Sequence, residues 1–210
     1  MLSFKDCTLA GLEKMFHLKQ VRDQADLAYW LQSADDITEF ERQTLLNLRE
    51  KLILGGYDWN EMELELKFIG PLLTLVDYTS EQFNLFAERD FRGVVEGIEL
   101  GGKPDGMIAS GLREPEQPYF CFQEYKKTKD PEGDPAAQAL AAMLVAQELN
   151  EHRHPVYGAY IIGRDWCFMT LHGRQYAMSE PYVATRDDLF DIFRILKVLK
   201  QMIIEWAKTS

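Results

Sequence analysis

Apolar residues recur at three- and four-residue spacing through the first quarter of the chain, as on one face of a helix. A first run begins near Leu12, continues through Trp30 and is broken by the polar stretch 33–36. A second run extends from Phe40 to Leu52. The pattern therefore predicts two helices between about residues 9 and 54.

The next segment, 59–69, is ambiguous, because its apolar residues alternate as in a strand while its Glu, Met, Leu and Lys residues are good helix formers. Its composition favours a helix that is capped by Asp58 or Asn60 and ended by Gly70-Pro71. Three apolar runs follow, which we expect to be strands pairing with the strand that carries Asp105: 72–78, 83–91 and 94–100.

Two apolar segments bounded by glycine and proline come next, the first carrying Asp105 and the second carrying Glu124 and Lys126. Segments of this kind predict an antiparallel hairpin. Side chains alternate along a strand, so Glu124 and Lys126 share one face with Phe122, while Tyr125 points to the other side. An acid and a base two residues apart therefore point the same way.

The rest of the chain alternates between helix-like and strand-like patterns. Asp134 followed by Pro135 is typical of a helix N-terminus, and an apolar face extends this helix to about Asn150. Aromatic and β-branched residues predict a strand over 156–163. The remaining expected elements are a hairpin, 166–171 with 175–178, and a last helix, 186–207.

The chain has 210 residues, of which 46% are hydrophobic, enough for one domain with a sizeable core. No apolar run approaches the roughly 20 residues that span a bilayer, and the first residues lack the pattern of a signal peptide. We therefore expect a cytoplasmic protein without membrane contact. Cys7, Cys121 and Cys167 form no CxxC pair, and we expect them to be reduced and mostly buried.

The net charge of −11 argues against non-specific affinity for nucleic acid, because phosphate binding usually requires a basic surface. Part of the positive charge is nevertheless local, at Lys126, Lys127 and Lys129 and in the segment 152–154. The two histidines of that segment are interpreted as surface residues, since no third metal ligand lies near them in sequence.

Two carboxylates that converge from neighbouring strands repel each other unless a cation, a proton or a lysine compensates them. Mg²⁺ accepts such oxygen ligands, typically one or two carboxylates together with waters and substrate phosphates. It lowers the pKa of a bound water and neutralises charge on a phosphodiester transition state, while Lys126 would orient the water or stabilise the developing charge. The alternative is a plain ion pair of Glu124 with Lys126 or Lys127 on a solvated face.

Pro104-Asp105 followed by Glu124-Tyr125-Lys126 resembles the motif of the PD-(D/E)XK, or restriction-endonuclease-like, nuclease superfamily. The sequence is also similar to uncharacterised bacterial members and to the nuclease portion of type I restriction subunits. The resemblance covers about half of the chain and implies an α/β (α+β) fold with an αβββαβ core, in which a mixed central sheet is flanked by helices. Residues 59–210 would form this nuclease-like domain, and residues 1–58 an N-terminal helical extension of the same compact unit.

The resemblance implies that Asp105, Glu124 and Lys126 are catalytic and that Asp105 and Glu124, with the Tyr125 carbonyl, hold Mg²⁺ or Mn²⁺. Glu61, on the helix before the core strands, would add an outer carboxylate to the metal set. Glu65, four residues later on the same face, is the substitute for Glu61.

Gln138 matches a glutamine that helps to orient the site in the RecB-like branch of the superfamily. The tyrosine expected four residues later is Ala142 here, so that signature is incomplete. An ordinary solvated glutamine is the alternative for this position. Together with Lys127 and Lys129, Gln138 completes the set of residues that we expect to bind substrate.

The implied activity is a metal-dependent endonuclease or exonuclease that hydrolyses DNA. A second hypothesis is a non-cleaving module of the same fold, which binds nucleic acid or protein within a complex or as a homo-oligomer. The complete set of two acids and a lysine favours the nuclease, and the acidic charge favours the binding module. A third hypothesis is an unrelated α+β domain in which the motif occurs by chance.

Overall fold

A mixed β-sheet with helices on both faces forms the centre of the protein. The computed structural model describes residues 1–129 and 131–209, and for residues 207–209 it describes the backbone only. A smaller sheet, built from strands at the N-terminus and between residues 91 and 102, accompanies the central one. The class is thus α+β, as predicted.

The helices are α1 (Leu9–Phe16), α2 (Ala25–Gln32), α3 (Glu39–Gly55), α4 (Glu61–Leu64), α5 (Gly70–Val76), α6 (Pro135–Leu149) and α7 (Asp188–Thr209). A 3₁₀ turn, Phe4–Asp6, precedes α1. A π-helical turn, Glu65–Ile69, joins α4 to α5 without a break.

The strands are β1 (Leu2–Ser3), β2 (Lys19–Gln20), β3 (Phe83–Ala87), β4 (Phe91–Val95), β5 (Ile98–Gly102), β6 (Gly106–Ser110), β7 (Glu116–Lys126), β8 (Val156–Ile162), β9 (Asp165–His172), β10 (Gln175–Met178) and β11 (Tyr182–Val183). The central sheet has the order β2-β10-β9-β8-β7-β6-β3, with β11 paired to β9, and the small sheet has the order β1-β5-β4. β7 and β8 are parallel and are connected through α6, while β6 is antiparallel to both β3 and β7.

The two faces of the central sheet bury different hydrophobic clusters. On one face, Tyr157 and Ile161 of β8 join residues of α2, α3, α5 and α7. On the other face, Val156 joins α1 and α6. Trp30 of α2 is fully buried in the first cluster, where its ring contacts Tyr157 edge-on and its Nε1 donates to the carbonyl of Ile195, 2.8 Å away. The N-terminal helices therefore contribute directly to the core.

Helix α6 begins where the sequence predicts. Asp134 is its N-cap, and the Oδ1 atom accepts a hydrogen bond from the Ala137 amide at 3.0 Å. The Oδ2 atom accepts a second bond, from the amide of Leu9 at the start of α1, at 3.1 Å. One carboxylate thus satisfies unpaired amides of two helices, whose first amides have no partner within the helix.

The single helix expected between residues 9 and 31 is wrong, since the structure has α1, the short strand β2 and α2 in its place. His17 takes a left-handed backbone conformation, φ 53°, and this ends α1. The strand expected over 72–78 is wrong as well, because residues 72–76 belong to α5 and residues 77–78 form no strand. The Gly70 amide donates to the Glu65 carbonyl five residues earlier, and the following Pro71 needs no hydrogen-bond acceptor, so the helix passes through Gly70-Pro71.

The expected pairing of the strand at 83–91 with the Asp105 strand is confirmed for residues 83–87, which form β3 beside β6, whereas Phe91 begins β4 of the small sheet. The strand at 94–100 is instead divided between β4 and β5, which pair with each other in the small sheet. Glu96 and Gly97 both have positive φ, 48° and 83°, as a two-residue hairpin turn of the primed type requires. The expected hairpin of Asp105 and Glu124, the strand over 156–163, the hairpin at 166–178 and the last helix are all present.

Two further findings concern the whole of the described chain. Cys7, Cys121 and Cys167 are free and buried. None of the helices formed by residues 1–129 and 131–209 combines the length and apolar character needed to cross a membrane.

Candidate functional site

The hairpin of β6 and β7 brings Asp105 against the end of β7. Asp105 immediately precedes β6, and its Oδ2 accepts a hydrogen bond from the Tyr125 amide at 2.5 Å. Gly106 lies opposite Gln123 in the ladder, where a Cβ atom would come within 2.7 Å of the Tyr125 hydroxyl oxygen. The absence of a side chain at Gly106 therefore lets the two strands bring the Asp105 carboxylate to β7.

Glu124 and Lys126 form a buried ion pair. The Lys126 Nζ donates to Glu124 Oε1 at 2.7 Å, and the two side chains are only 10% and 7% exposed. Glu124 and Lys126 lie on the same face of β7, as the alternation predicts. Phe122 belongs to the hydrophobic cluster beneath α6, and Tyr125 belongs to the cluster on the opposite face of the sheet. The pair is therefore not the solvated surface pair that the sequence left open. Both side chains are largely removed from water, so the charge of each is stabilised mainly by the charge of the other.

Burial is the main reason that the pKa of Glu124 is raised to about 7, and the negative charge of Asp105 adds to the effect. The hydrogen bond and charge of Lys126, and the charge of Lys5, lower it only in part. The carboxyl group therefore changes protonation near neutral pH.

The pKa of Asp105 is also raised, mainly by burial. The Tyr125 amide and the charge of Lys126 act in the opposite direction, and the charges of Glu61 and Glu88 add to the increase. For Lys126, burial lowers the pKa, but the hydrogen bond and charge of Glu124, helped by Asp105 and Glu61, outweigh it and leave the pKa raised. The amine therefore remains a cation.

The helix before the core strands contributes acidic side chains next to Asp105. Glu61 is exposed and acts on Asp105 and Lys126 through its charge. Glu65 lies in the π-helical turn, half-buried, and its pKa is raised by burial and then by Asp105 and Glu88. Both candidates for the outer carboxylate thus lie within electrostatic range of the site, with Glu65 the more buried.

Sequence reasoning missed Glu88, which directly follows β3. Its amide donates to the Asp105 carbonyl at 3.3 Å, and its φ of 47° is left-handed. The only signal in the sequence was its place at the end of the strand that pairs with the Asp105 strand. Lys5 was missed as well, because it comes from the distant 3₁₀ turn.

A cavity of about 310 Å³ opens beside Glu124. Gln138 lines it from α6, Lys5 from the 3₁₀ turn, Arg92 from β4 and Lys103 from the segment after β5. Asp90 also lines it, with its Oδ1 3.8 Å from the Lys103 Nζ. Gln138 is buried, with its Nε2 next to Gly133, where an added Cβ would lie 2.8 Å away. The structure thus brings Gln138 to the same space as Glu124, in a setting that contains several cations.

The structure does not place Lys127 and Lys129 among the described residues that line this cavity. Lys127 is half-buried, and the exposed Lys129 has its ammonium group 6.0 Å from the centre of the Tyr57 ring, near the end of α3. The two histidines of 152–154 do not form a pair either, since His152 bonds to Glu148 and the His154 ring packs against those of Phe120 and Trp206.

Two carboxylate oxygens remain available for a metal ion. Asp105 Oδ1 and Glu124 Oε2 have no hydrogen bond to any residue that the structure describes, while their partner oxygens are engaged by Tyr125 and Lys126. Over 1–129 and 131–209, no group of three or more His, Cys, Asp or Glu side chains is placed to hold a metal ion, so Glu61 does not join the two carboxylates in such a group. Two carboxylates fit Mg²⁺, which fills its remaining positions with waters and substrate oxygens.

The chain was compared with known proteins. No protein-family model matches it. Among curated proteins, no match is found either. The function must therefore be argued from the chemistry of the site.

Proposed function

We propose that this protein is a metal-dependent nuclease with a restriction-endonuclease-like core, and that it hydrolyses phosphodiester bonds of DNA. One observation carries the proposal. Asp105 and Glu124 come from adjacent strands and meet, mostly buried, with the ammonium group of Lys126 at 2.7 Å from Glu124. Burying two acids and a base together is costly for folding, and perturbed carboxyl groups of this kind are typical of functional sites.

The order of the elements supports the same proposal. The helical segment α4 to α5 is followed by β3, β6, β7, α6 and β8, which is the αβββαβ succession that the resemblance implies. These four strands are neighbours in the central sheet, in the order β3-β6-β7-β8. The β4–β5 hairpin is an insertion between the first two strands, and with β1 it forms one wall of the cavity beside Glu124.

The residues of the site would act as follows. Asp105 and Glu124 present two oxygens to Mg²⁺ or Mn²⁺, which when bound would activate a water and neutralise charge on the phosphate. Lys126 would donate a hydrogen bond to the attacking water or to a phosphate oxygen, where negative charge develops. Hydrolysis joins the water oxygen to phosphorus and releases one ester oxygen as a hydroxyl group. Gln138 and Lys5 lie where they would contact the substrate backbone.

The non-cleaving binding module remains the second candidate, because the net charge of −11 opposes binding of a polyanion. The cations around the cavity reduce this objection at the site itself, where Lys5 and Arg92 lie on the lining together with Lys103, whose charge is shared with Asp90. The two candidates differ in one property, turnover.

The test combines metal binding with cleavage. Mn²⁺ and Mg²⁺ are titrated calorimetrically into the wild type, Asp105→Ala, Glu124→Gln and Lys126→Met, and cleavage of plasmid and single-stranded DNA is assayed on the same samples. We expect metal-dependent cleavage by the wild type and a loss of about a hundredfold or more in each variant, the scale found when one transition-state donor is removed. Metal binding should be lost in the carboxylate variants and retained in Lys126→Met.

The matched control is Glu50→Gln, which changes an exposed acid on α3. It should behave as the wild type. Metal binding without cleavage would favour the non-cleaving module, and the absence of any metal binding by the wild type would refute the metal site.

A further inference from the structure

A second groove, of about 470 Å³, lies at the C-terminal ends of β7 and β8 on the side of α3. Its polar lining consists of Tyr57, Thr128, Arg164, Thr185 and Arg186. These residues come from four separate connections: the end of α3, the segment after β7, the β8–β9 turn and the segment before α7. The sequence gives no indication that they meet.

The two arginines of the groove are exposed, and neither forms an ion pair with any residue that the structure describes. The neighbouring acid Asp187 is already engaged by Arg49, whose Nη1 lies 3.0 Å from its Oδ1. The ammonium group of Lys129 is close by, over the ring of Tyr57. A chain with a net charge of −11 thus leaves cations uncompensated around this groove.

The groove adjoins the candidate active site through the backbone. Thr128 follows Lys126 by two residues, a distance of about 7 Å in extended chain. The Gly163 amide donates to the Lys126 carbonyl at 2.8 Å, and Arg164 is the next residue. The groove is therefore a close neighbour of Lys126 along the backbone, although it shares no lining residue with the cavity beside Glu124.

Tyr57 adds a feature that a simple anion site would not need. Its side chain is 64% exposed, and Ile53 and Leu54 beside it are 52% and 85% exposed. Exposed aromatic rings beside cations are the usual means of binding single-stranded nucleic acid, because every base can stack on them. The Thr185 hydroxyl is a further donor for phosphate oxygens, whereas the Thr128 hydroxyl donates to the Gly56 carbonyl at 3.4 Å.

We infer that this groove binds a nucleic-acid strand adjacent to the cleaved bond, with backbone phosphates on Arg164 and Arg186 and a base stacked on Tyr57. The inference rests on the proposed function, for which it supplies a substrate-binding surface outside the catalytic residues. A protein segment covering Ile53, Leu54 and Tyr57 is the competing occupant. The unpaired arginines favour the polyanion.

The test measures binding without cleavage. Fluorescence anisotropy of a labelled single-stranded DNA of about 20 nucleotides, long enough for one such surface, is followed in EDTA from about 50 to 200 mM salt. The wild type is compared with Arg164→Ala/Arg186→Ala and Tyr57→Ala. The control is Arg153→Ala/Arg174→Ala, which removes the same charge from arginines that pair with Glu151 and Glu96.

We expect the double groove variant to bind more weakly and the slope of log Kd against log salt to fall by about 1.4, which corresponds to two phosphate contacts on a single strand. Tyr57→Ala should weaken binding about tenfold with an unchanged slope. The control should retain wild-type affinity and slope.

The groove assignment and the nuclease assignment can fail separately. If the wild type cleaves DNA while the groove variants bind as the wild type does, the groove inference is wrong and the nuclease stands. If the wild type binds DNA and the groove variants weaken this binding as expected, but the wild type never cleaves DNA, the groove inference is supported and the nuclease proposal is wrong. If the wild type binds no DNA, the groove inference is overturned.

Discussion

Glu124 is held between opposing influences at the scale of a single residue. Burial and Asp105 disfavour its charge, and Lys126 favours it. The net result is a carboxyl group with a pKa of about 7 in the folded chain, against a reference value of 4.5. A bound divalent cation would favour the charged form and lower this pKa.

This balance makes the stability of the metal-free protein dependent on pH. Because the fold binds the Glu124 proton more tightly than the unfolded chain does, the contribution is fully present below about pH 4.5 and is lost as pH rises through about 7. The free energy of unfolding, measured by urea titration in EDTA, should therefore fall more steeply from about pH 5 to 8 in the wild type than in Glu124→Gln. Parallel profiles would show that Glu124 is not perturbed.

The residue scale also shows what the sequence could and could not predict of the site. Asp105, Glu124 and Lys126 were found because their spacing within one hairpin is local information. Lys5 could not be found, because its proximity to Glu124 depends on how a distant segment folds over the hairpin. Glu88 carried only the weak signal of its place at the end of the strand that pairs with the Asp105 strand.

At the scale of elements, Asp134 has more contacts than an ordinary helix cap. It caps α6 and also accepts from the Leu9 amide at the start of α1. Asp134→Ala should lower the free energy of unfolding by about 2 kcal/mol, about 1 for the cap and the rest for the second bond.

Thr38 provides the comparison, since its capping box at α3 involves only Glu41 nearby. Thr38→Ala should cost about 1 kcal/mol. Both values come from chemical denaturation at one pH. Equal losses in the two variants would mean that the bond to Leu9 contributes nothing.

Helices and strands with a local sequence signal were predicted correctly, whereas those that depend on an unusual backbone conformation were not. The hairpin of β6 and β7 and the start of α6 follow from alternation and from Asp134-Pro135. The passage of a helix through Gly70-Pro71 requires the π-helical turn before it, and the division of 94–100 requires left-handed φ at Glu96. Neither exception is a feature of hydrophobic pattern.

At the scale of the whole molecule, Trp30 connects the N-terminal helices to the rest. It is fully buried against Tyr157 and Phe168 and bonds to the Ile195 carbonyl. Trp30→Ala should cost about 3 to 5 kcal/mol, the range for large aromatic truncations in a core. Trp30→Phe keeps most of the apolar contact and should cost less. Thermal and urea unfolding measure both, and a small loss in Trp30→Ala would mean that residues 1–58 pack only loosely on the sheet.

The bond between Trp30 and Ile195 has a consequence for how the chain is made. Its two residues lie 165 positions apart, and the contacts of Asp134 with Leu9 and of Thr170 with Gln24 span 125 and 146 positions. Contacts between residues so far apart in sequence slow folding, because the entropy of closing the long loop is lost before the contact contributes any stabilisation. During synthesis, the indole ring of Trp30 lacks Tyr157 and Phe168, and its Nε1 lacks the Ile195 carbonyl, until most of the chain has been made. Exposed apolar surface of this kind is what makes incomplete chains prone to aggregation.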